Sequence, residues 1–195
     1  MMEPTTRTEA DRDSKFARWI GEVPGAETIR QCIHCGVCSG SCPLSVYMDR
    51  SPRQLMYLAK DGFKIDVLSS FTIWLCTSCY ACTVKCPRGI QVTEVMYALK
   101  RRAIEEGAYP KRFPIPVLAR EFRKMVRKNG RISESRLVFQ LMLRTNALKL
   151  LGLTSLGLKL IRTGRFSFGI EKIKRTEDLK TILEALERDR EEVAA

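Results

Sequence analysis

The sequence has one histidine, two tryptophans and no apolar run long enough to cross a bilayer. Its longest apolar stretch, LKLLGLTSLGLKLI at 148–161, is interrupted by lysines and glycines and falls short of the roughly 20 residues a membrane helix needs. The N-terminal MMEPTTRTEADRDSKFARW has acidic residues and no apolar h-region, so no secretory signal is expected and the protein should stay in the cytoplasm. Runs that alternate apolar with polar residues are missing too, which argues against strands. What remains, 45% hydrophobic and 29% charged residues in a chain of 195, is the composition of an ordinary folded protein.

All eight cysteines fall in two copies of one pattern. The first, CIHCGVCSGSCP, holds Cys32, Cys35, Cys38, Cys42 and Pro43; the second, CTSCYACTVKCP, holds Cys76, Cys79, Cys82, Cys86 and Pro87. Both read C-x2-C-x2-C-x3-C-P, the ligand run of bacterial ferredoxins with 4Fe-4S clusters. Three thiolates at intervals of three wrap one turning segment around three irons of a cube. The fourth cysteine, followed by a φ-restricted proline that carries the chain away, ligates the other cluster. The expected ligand sets are therefore Cys32, Cys35, Cys38 and Cys86 for one 4Fe-4S cluster, and Cys76, Cys79, Cys82 and Cys42 for the second. No thiol is left over for nucleophilic work. A disulfide framework would want a secreted chain, and zinc sites space their cysteine pairs more widely. A single histidine cannot build a two-histidine, two-iron centre, so His34 reads as a non-ligand, either tuning the nearby cluster or idle in its loop. Gly36, Gly40 and Gly89, with Pro43 and Pro87, are expected around the clusters, the glycines letting backbone N–H groups approach sulfur or simply permitting turns.

Helices flank each motif. SPRQLMYLAKDG has Ser51 as cap, Pro52 at the first helical position, an apolar stripe of Leu55, Met56 and Leu58, and Gly62 as stop. DVLSSFTIWL reads as a second short helix with Asp66 as its cap. Thr93–Gly107 reads as a third, with Val95, Met96, Leu99 and Ala103 on one face. The fold class is thus all-α: an α-helical ferredoxin domain over 27–108, preceded by an N-terminal arm over 1–26 and followed by a helical extension over 109–195. In that extension a proline-punctuated linker, YPKRFPIP, precedes helices over 117–130, 133–152 and from Thr176.

The net charge is +12, and two clusters with four thiolates each would lower it to about +8. The excess is concentrated between Ala108 and Ala147, where ten Lys or Arg face only Glu121 and Glu134. Arg120, Arg123, Lys124, Arg127 and Lys128 are candidates for a docking surface. The plainer alternative is that Leu118, Phe122, Met125 and Val126 face the protein's own core while the bases are solvated. Aromatics interleaved with bases are few, and no nucleic-acid partner is expected.

The phrases CGVCSGSCP and TIWLCTSCYACTVKCPRGI and the helix VTEVMYALKRRAI resemble the C-type subunit of the soluble heterodisulfide reductase of methanogenic archaea and related anaerobes, over residues 30 to about 107. That resemblance implies a relay protein, carrying electrons from a flavin- and cluster-containing A-type subunit to the B-type subunit, which reduces the mixed disulfide of coenzyme M and coenzyme B in methanogenesis. It also implies a larger assembly with a hydrogenase or formate dehydrogenase. The CCG-type cysteine motifs expected of the B-type subunit are missing, so the chain is expected to hold no complete active site. Cluster subunits of other respiratory or sulfur-metabolism oxidoreductases, a free ferredoxin-like carrier and a nonenzymatic cluster-dependent binding module share the cysteine pattern. The absence of a plant-type two-iron motif disfavours the succinate dehydrogenase kind.

Overall fold

The structure, a computed structural model, describes residues 7–110, 113–164 and 172–194. Lys111 and Arg112 of the basic stretch and the first six residues of the N-terminal arm lie outside them. Among the described residues there is no strand, and the chain divides into two units, Met1–Tyr109 and Pro110–Ala195.

The first unit opens with α1 (Ser14–Ile20), capped by Asp13, whose carboxylate accepts from the backbone N–H of Lys15 and Phe16. Phe16 and Ile20 bury against α3 (Pro52–Asp61), so this part of the arm contributes to the core. Between them, α2 (Val37–Gly40) is a single turn inside the first motif. The start of α3 is legible in SPRQ. Ser51 Oγ accepts from the N–H of Gln54, the Gln54 side chain accepts from the N–H of Ser51, and Pro52 occupies the first turn, where no N–H is required. It stops at Gly62, whose φ of +87° and whose approach to Asp13 O, 2.6 Å from where a Cβ would sit, admit only glycine.

The expected single helix over 66–75 is two. Next come α4 (Lys64–Leu68) and α5 (Thr72–Leu75), separated where Asp49 reaches in from more than twenty residues upstream. Its carboxylate accepts from the N–H groups of Phe71 and Thr72 and from the hydroxyls of Ser70 and Thr72 at 2.7–3.1 Å, capping α5 from outside. Asp66 is not a cap. It sits inside α4 and pairs with Arg50 at 2.6 Å and Arg7 at 3.1 Å.

After α6 (Ala81–Val84), another single turn, α7 (Val92–Glu105) begins one residue before the expected Thr93 and buries Val95, Met96, Leu99 and Ala103, the face the periodicity predicts. Both long helices thus turn apolar faces to one core, whose fully buried members include Ile20, Ile29, Leu55, Ile73 and Leu99.

In the second unit, α8 (Pro114–Asn129) starts inside the expected linker, because Pro114 and Pro116 stand in its first turn, where neither needs an N–H partner. The expected helix over 133–152 breaks at Asn146, in extended backbone, into α9 (Glu134–Thr145) and α10 (Lys149–Arg162). Helices α8 and α9 pack together, and α11 (Thr176–Ala194) lies on α8. Glu121 of α8 is 2% exposed and takes an ion pair from Arg144 of α9 at 3.1 Å. Buried charge of this kind needs its partner, since an unpaired carboxylate would be costly to desolvate.

Candidate metal centre

The two cysteine motifs fold alike, residue for residue. In each, the residues before and after the second cysteine are left-handed: His34 at φ 55° and Gly36 at 88°, Ser78 at 59° and Tyr80 at 62°. Two left-handed residues around one cysteine curl the backbone into a tight hook, and L-residues adopt that conformation only at a cost. Glycine meets it without strain at position 36; Tyr80 does not. A single helical turn follows, α2 or α6, carrying the third cysteine. The hydrogen bonds repeat: Ser39 N–H to Gly36 O and Thr83 N–H to Tyr80 O, both at 3.0 Å, then Cys42 N–H to Ser39 O and Cys86 N–H to Thr83 O, both at 3.3 Å.

Cys32, Cys35 and Cys38 line one small concavity, and the fourth cysteine in its wall is Cys86. Cys76, Cys79 and Cys82 line another, and there the fourth is Cys42. Each motif thus lends its last cysteine to the other's concavity. Pro87 lies in the first wall and Pro43 in the second, with Gly36 also in the first. Gly40 and Gly89 are in neither wall, and a Cβ at either would meet nothing within 4 Å.

The donor chemistry fits an iron–sulfur cube. All eight sulfurs are free thiols, with Cys35 and Cys79 exposed and the other six half-buried. Burial pushes the Cys38 thiol up to about 11, with smaller contributions from neighbouring Cys32 and Cys82, and burial raises Cys82 as well. Thiolates gathered in one wall need a cationic core to compensate their charge, and iron would supply one. Among the described residues no three His, Cys, Asp or Glu side chains are grouped to hold a single ion.

His34 stands beside this space. Its Nδ1 is 3.8 Å from Cys32 Sγ, and its ring meets Tyr57 edge-on at 5.5 Å. The sequence leaves its role open; the structure sets it against the sulfur.

The repeat extends beyond the cysteines, which the spacing of the motifs alone does not reveal. Aligning α3 with α7 at their first residues sets LMYLAK over VMYALK. Met56 and Met96 fall together, each almost fully buried and each in the wall of its own motif's concavity. Lys60 and Lys100 also coincide, and their ammonium groups donate to the carbonyls of Cys32 and Cys76. Arg53 and Thr93 coincide as well, their N–H groups donating to the hydroxyls of Ser39 and Thr83. The signal is present in the sequence, but it emerges only when the helices are aligned through the motifs.

The candidate docking bases are largely engaged within their own unit. Arg123 and Arg127 pair with Glu187 of α11, Lys124 pairs with Glu121, and Arg120 also has an interaction partner. Of the apolar residues expected in the core on that helix, Met125 is buried, whereas Leu118 and Phe122 are exposed.

These observations define a class: an all-α iron–sulfur domain with two four-cysteine sites, and residues 28–90 match the family described as 4Fe-4S dicluster domain. Among characterised proteins the chain is similar to the C subunits of heterodisulfide reductases. It is 42% identical over 76 residues, 39% of this chain and 47% of the relative, to the C subunit of the ferredoxin/F420H2-dependent CoB-CoM heterodisulfide reductase of Methanosarcina acetivorans. It is 33% identical over 95 residues, 49% of this chain and 51% of the relative, to the C subunit of the H2:CoB-CoM heterodisulfide,ferredoxin reductase of Methanothermobacter marburgensis. With the iron-sulfur C subunit of the CoB-CoM heterodisulfide reductase of Methanopyrus kandleri it shares 31% over 116 residues, 55% of this chain and 60% of the relative. The chain spans about half the length of the curated relatives it matches.

Proposed function

We propose that the chain is the electron-relay component of a heterodisulfide reductase complex. It holds two 4Fe-4S clusters, one on Cys32, Cys35, Cys38 and Cys86, the other on Cys76, Cys79, Cys82 and Cys42. When bound, each cluster takes up and returns one electron with no change in its ligands. The chain's own part is position and environment. The left-handed hooks hold the motif sulfurs, Pro43 and Pro87 turn the chain toward the neighbouring site, and Met56 and Met96 close the walls against water.

The observation that carries this reading is the exchange of the last cysteines between the two concavities. Such an exchange sets the sites side by side, with Cys38 and Cys82 close enough for the charge of one to raise the pKa of the other. Each site also has one exposed cysteine, Cys35 or Cys79, which gives an electron an edge to enter and an edge to leave. All eight thiols are taken up by the two sites and none remains to attack a disulfide, so the role is non-catalytic.

The partners in this reading are a flavin-containing A-type subunit as donor and a B-type subunit as the site of heterodisulfide reduction, within a cytoplasmic assembly fed by a hydrogenase or formate dehydrogenase. Among the described residues no helix is long and apolar enough to cross a membrane. Similarity to proteins named as C subunits of such reductases supports the assembly. Anaerobic affinity purification at native expression level tests it. Co-purification of an A-type and a B-type subunit, with about eight irons and eight acid-labile sulfides per chain, is the expected result. A monomer after gentle lysis, or bound zinc in place of iron, contradicts it.

A further inference from the structure

We infer that the two sites differ in reduction potential, the Cys32 site being the higher, so that electrons cross this protein from the Cys76 site to the Cys32 site. The inference rests on the two-cluster reading above and adds a direction to it. Its basis is the internal repeat, which makes each site a control for the other. The thiolate count is the same in both, each has a buried methionine in its wall, and each has one lysine donating to the carbonyl of its first cysteine. What differs at equivalent positions is therefore what separates them.

Three positions in or against the walls differ in charge, all in one direction. The second residue of the following helix is Arg53 at the Cys32 site, where its side chain lies against Gly36, with Cδ 3.6 Å from where a Cβ would stand. At the Cys76 site it is Thr93, a neutral hydroxyl 3.9 Å from Cys82 Sγ. The residue after the C-P proline is Arg88 in the wall of the Cys32 site and Leu44 in the wall of the Cys76 site. The third residue of the helix is Gln54 in α3 but Glu94 in α7, and the Glu94 carboxylate accepts from the hydroxyl of Tyr80, which lines the Cys76 site. Lys85, at the place Ser41 holds in the first motif, is exposed and lines neither wall. Reduction adds one negative charge. Two guanidinium groups favour that addition at the Cys32 site, while a carboxylate opposes it near the other. Both arginines are exposed, so water and salt screen them, and the separation they produce is modest.

In balance, one electron leaves the reduced Cys76 site and arrives at the oxidised Cys32 site, with no bond made or broken. An external donor of lower potential supplies it beside Cys79, and an acceptor takes it beside Cys35.

The test is an anaerobic redox titration of the intact chain, followed by electron paramagnetic resonance, with Cys35→Ser used to identify the signal of its own site. The expected result is two one-electron steps separated by about tenfold in reduction equilibrium, which is about 59 mV, with the Cys32 site reduced first. Arg53→Thr and Arg88→Leu should each lower that site alone, and Thr93→Arg should raise the Cys76 site alone. Eight irons per chain with the Cys76 site reduced first, or with the arginine variants unmoved, overturns the direction. A chain that holds no iron overturns the cluster reading itself.

Discussion

Lys60 and Lys100 occupy the same place in two halves of one domain. Each stands eight residues after the start of its helix, and each ammonium donates to the carbonyl of its motif's first cysteine, Lys60 to Cys32 at 3.1 Å and Lys100 to Cys76 at 2.8 Å. Those carbonyls belong to cysteines that end a short helical segment, Glu27–Gln31 or α5, in non-helical backbone two residues before the left-handed hook. Among the described residues neither lysine has a carboxylate partner, so each brings uncompensated positive charge to its site.

Replacing either lysine should therefore lower the potential of its own site and leave the other in place. Lys60→Met and Lys100→Met are each expected to shift one midpoint by about tenfold in reduction equilibrium, or 59 mV for one electron. Lys60→Gln and Lys100→Gln keep a donor for the carbonyl without the charge. A redox titration in which the glutamine variants behave like wild type would show that the hydrogen bond alone matters.

Met56 and Met96 close the two sites from the core side, 1% and 2% exposed. Truncation to alanine should cost about 2–4 kcal/mol at either position, the usual loss for a buried methionine. Chemical denaturation under anaerobic conditions measures it. A loss below about 1 kcal/mol would mean that the wall collapses to fill the gap.

Asp49 gives a pH signature. Burial alone would raise its carboxyl, but the hydrogen bonds from Thr72, Ser70 and Phe71 outweigh burial and hold it below the ordinary aspartate range. A carboxylate depressed in the folded state stabilises it above the unfolded value, and that stabilisation disappears as pH falls through the lower folded value. Asp49→Asn should cost about 1 kcal/mol, the scale of a lost helix cap, at the low end because the side chain is partly exposed. The penalty should be the same at about pH 7 and pH 5 and shrink only below the usual aspartate value near 3.9. Urea midpoints of both proteins across this range check it; a penalty already halved at pH 5 would contradict the assignment.

In the second unit, Arg127 holds Glu187 through both terminal guanidinium nitrogens, Nη1 and Nη2, at 2.5 and 3.1 Å. Arg127→Glu should loosen α11 from α8, and the exchanged pair Arg127→Glu with Glu187→Arg should restore it. Hydrogen exchange of α11 amides reads both. If the single variant leaves exchange unchanged while weakening complex assembly, Arg127 serves a partner and not this helix pair.

The sites are legible in the sequence because their determinants are local. Four cysteines at fixed short spacing, and a proline that redirects the chain, are enough to anticipate which cysteines line each concavity without reference to anything distant. The bounds of α3 are equally legible, since Ser51, Gln54, Pro52 and Gly62 act within one turn of where they stand. What escapes is long-range. The break between α4 and α5 is made by Asp49, over twenty residues upstream, and no pattern within DVLSSFTIWL announces it. The basic helix reads in sequence either as a docking surface or as a core helix with solvated bases, and neither reading finds Glu187, which lies 60 residues away and pairs with Arg127. Helix α8 begins early because prolines that look like a linker stand in its first turn.

The proposed exchange of ligands between the sites turns on Cys42, which belongs in sequence to the first motif and lines the concavity of the second. The measurement is the spectrum of Cys42→Ser prepared anaerobically, compared with Cys86→Ser. Cys42→Ser is expected to lose or alter the cluster of Cys76, Cys79 and Cys82 and to leave that of Cys32, Cys35 and Cys38 with its wild-type signal, while Cys86→Ser does the reverse. Damage confined to the first motif's own cluster in Cys42→Ser would contradict the exchange.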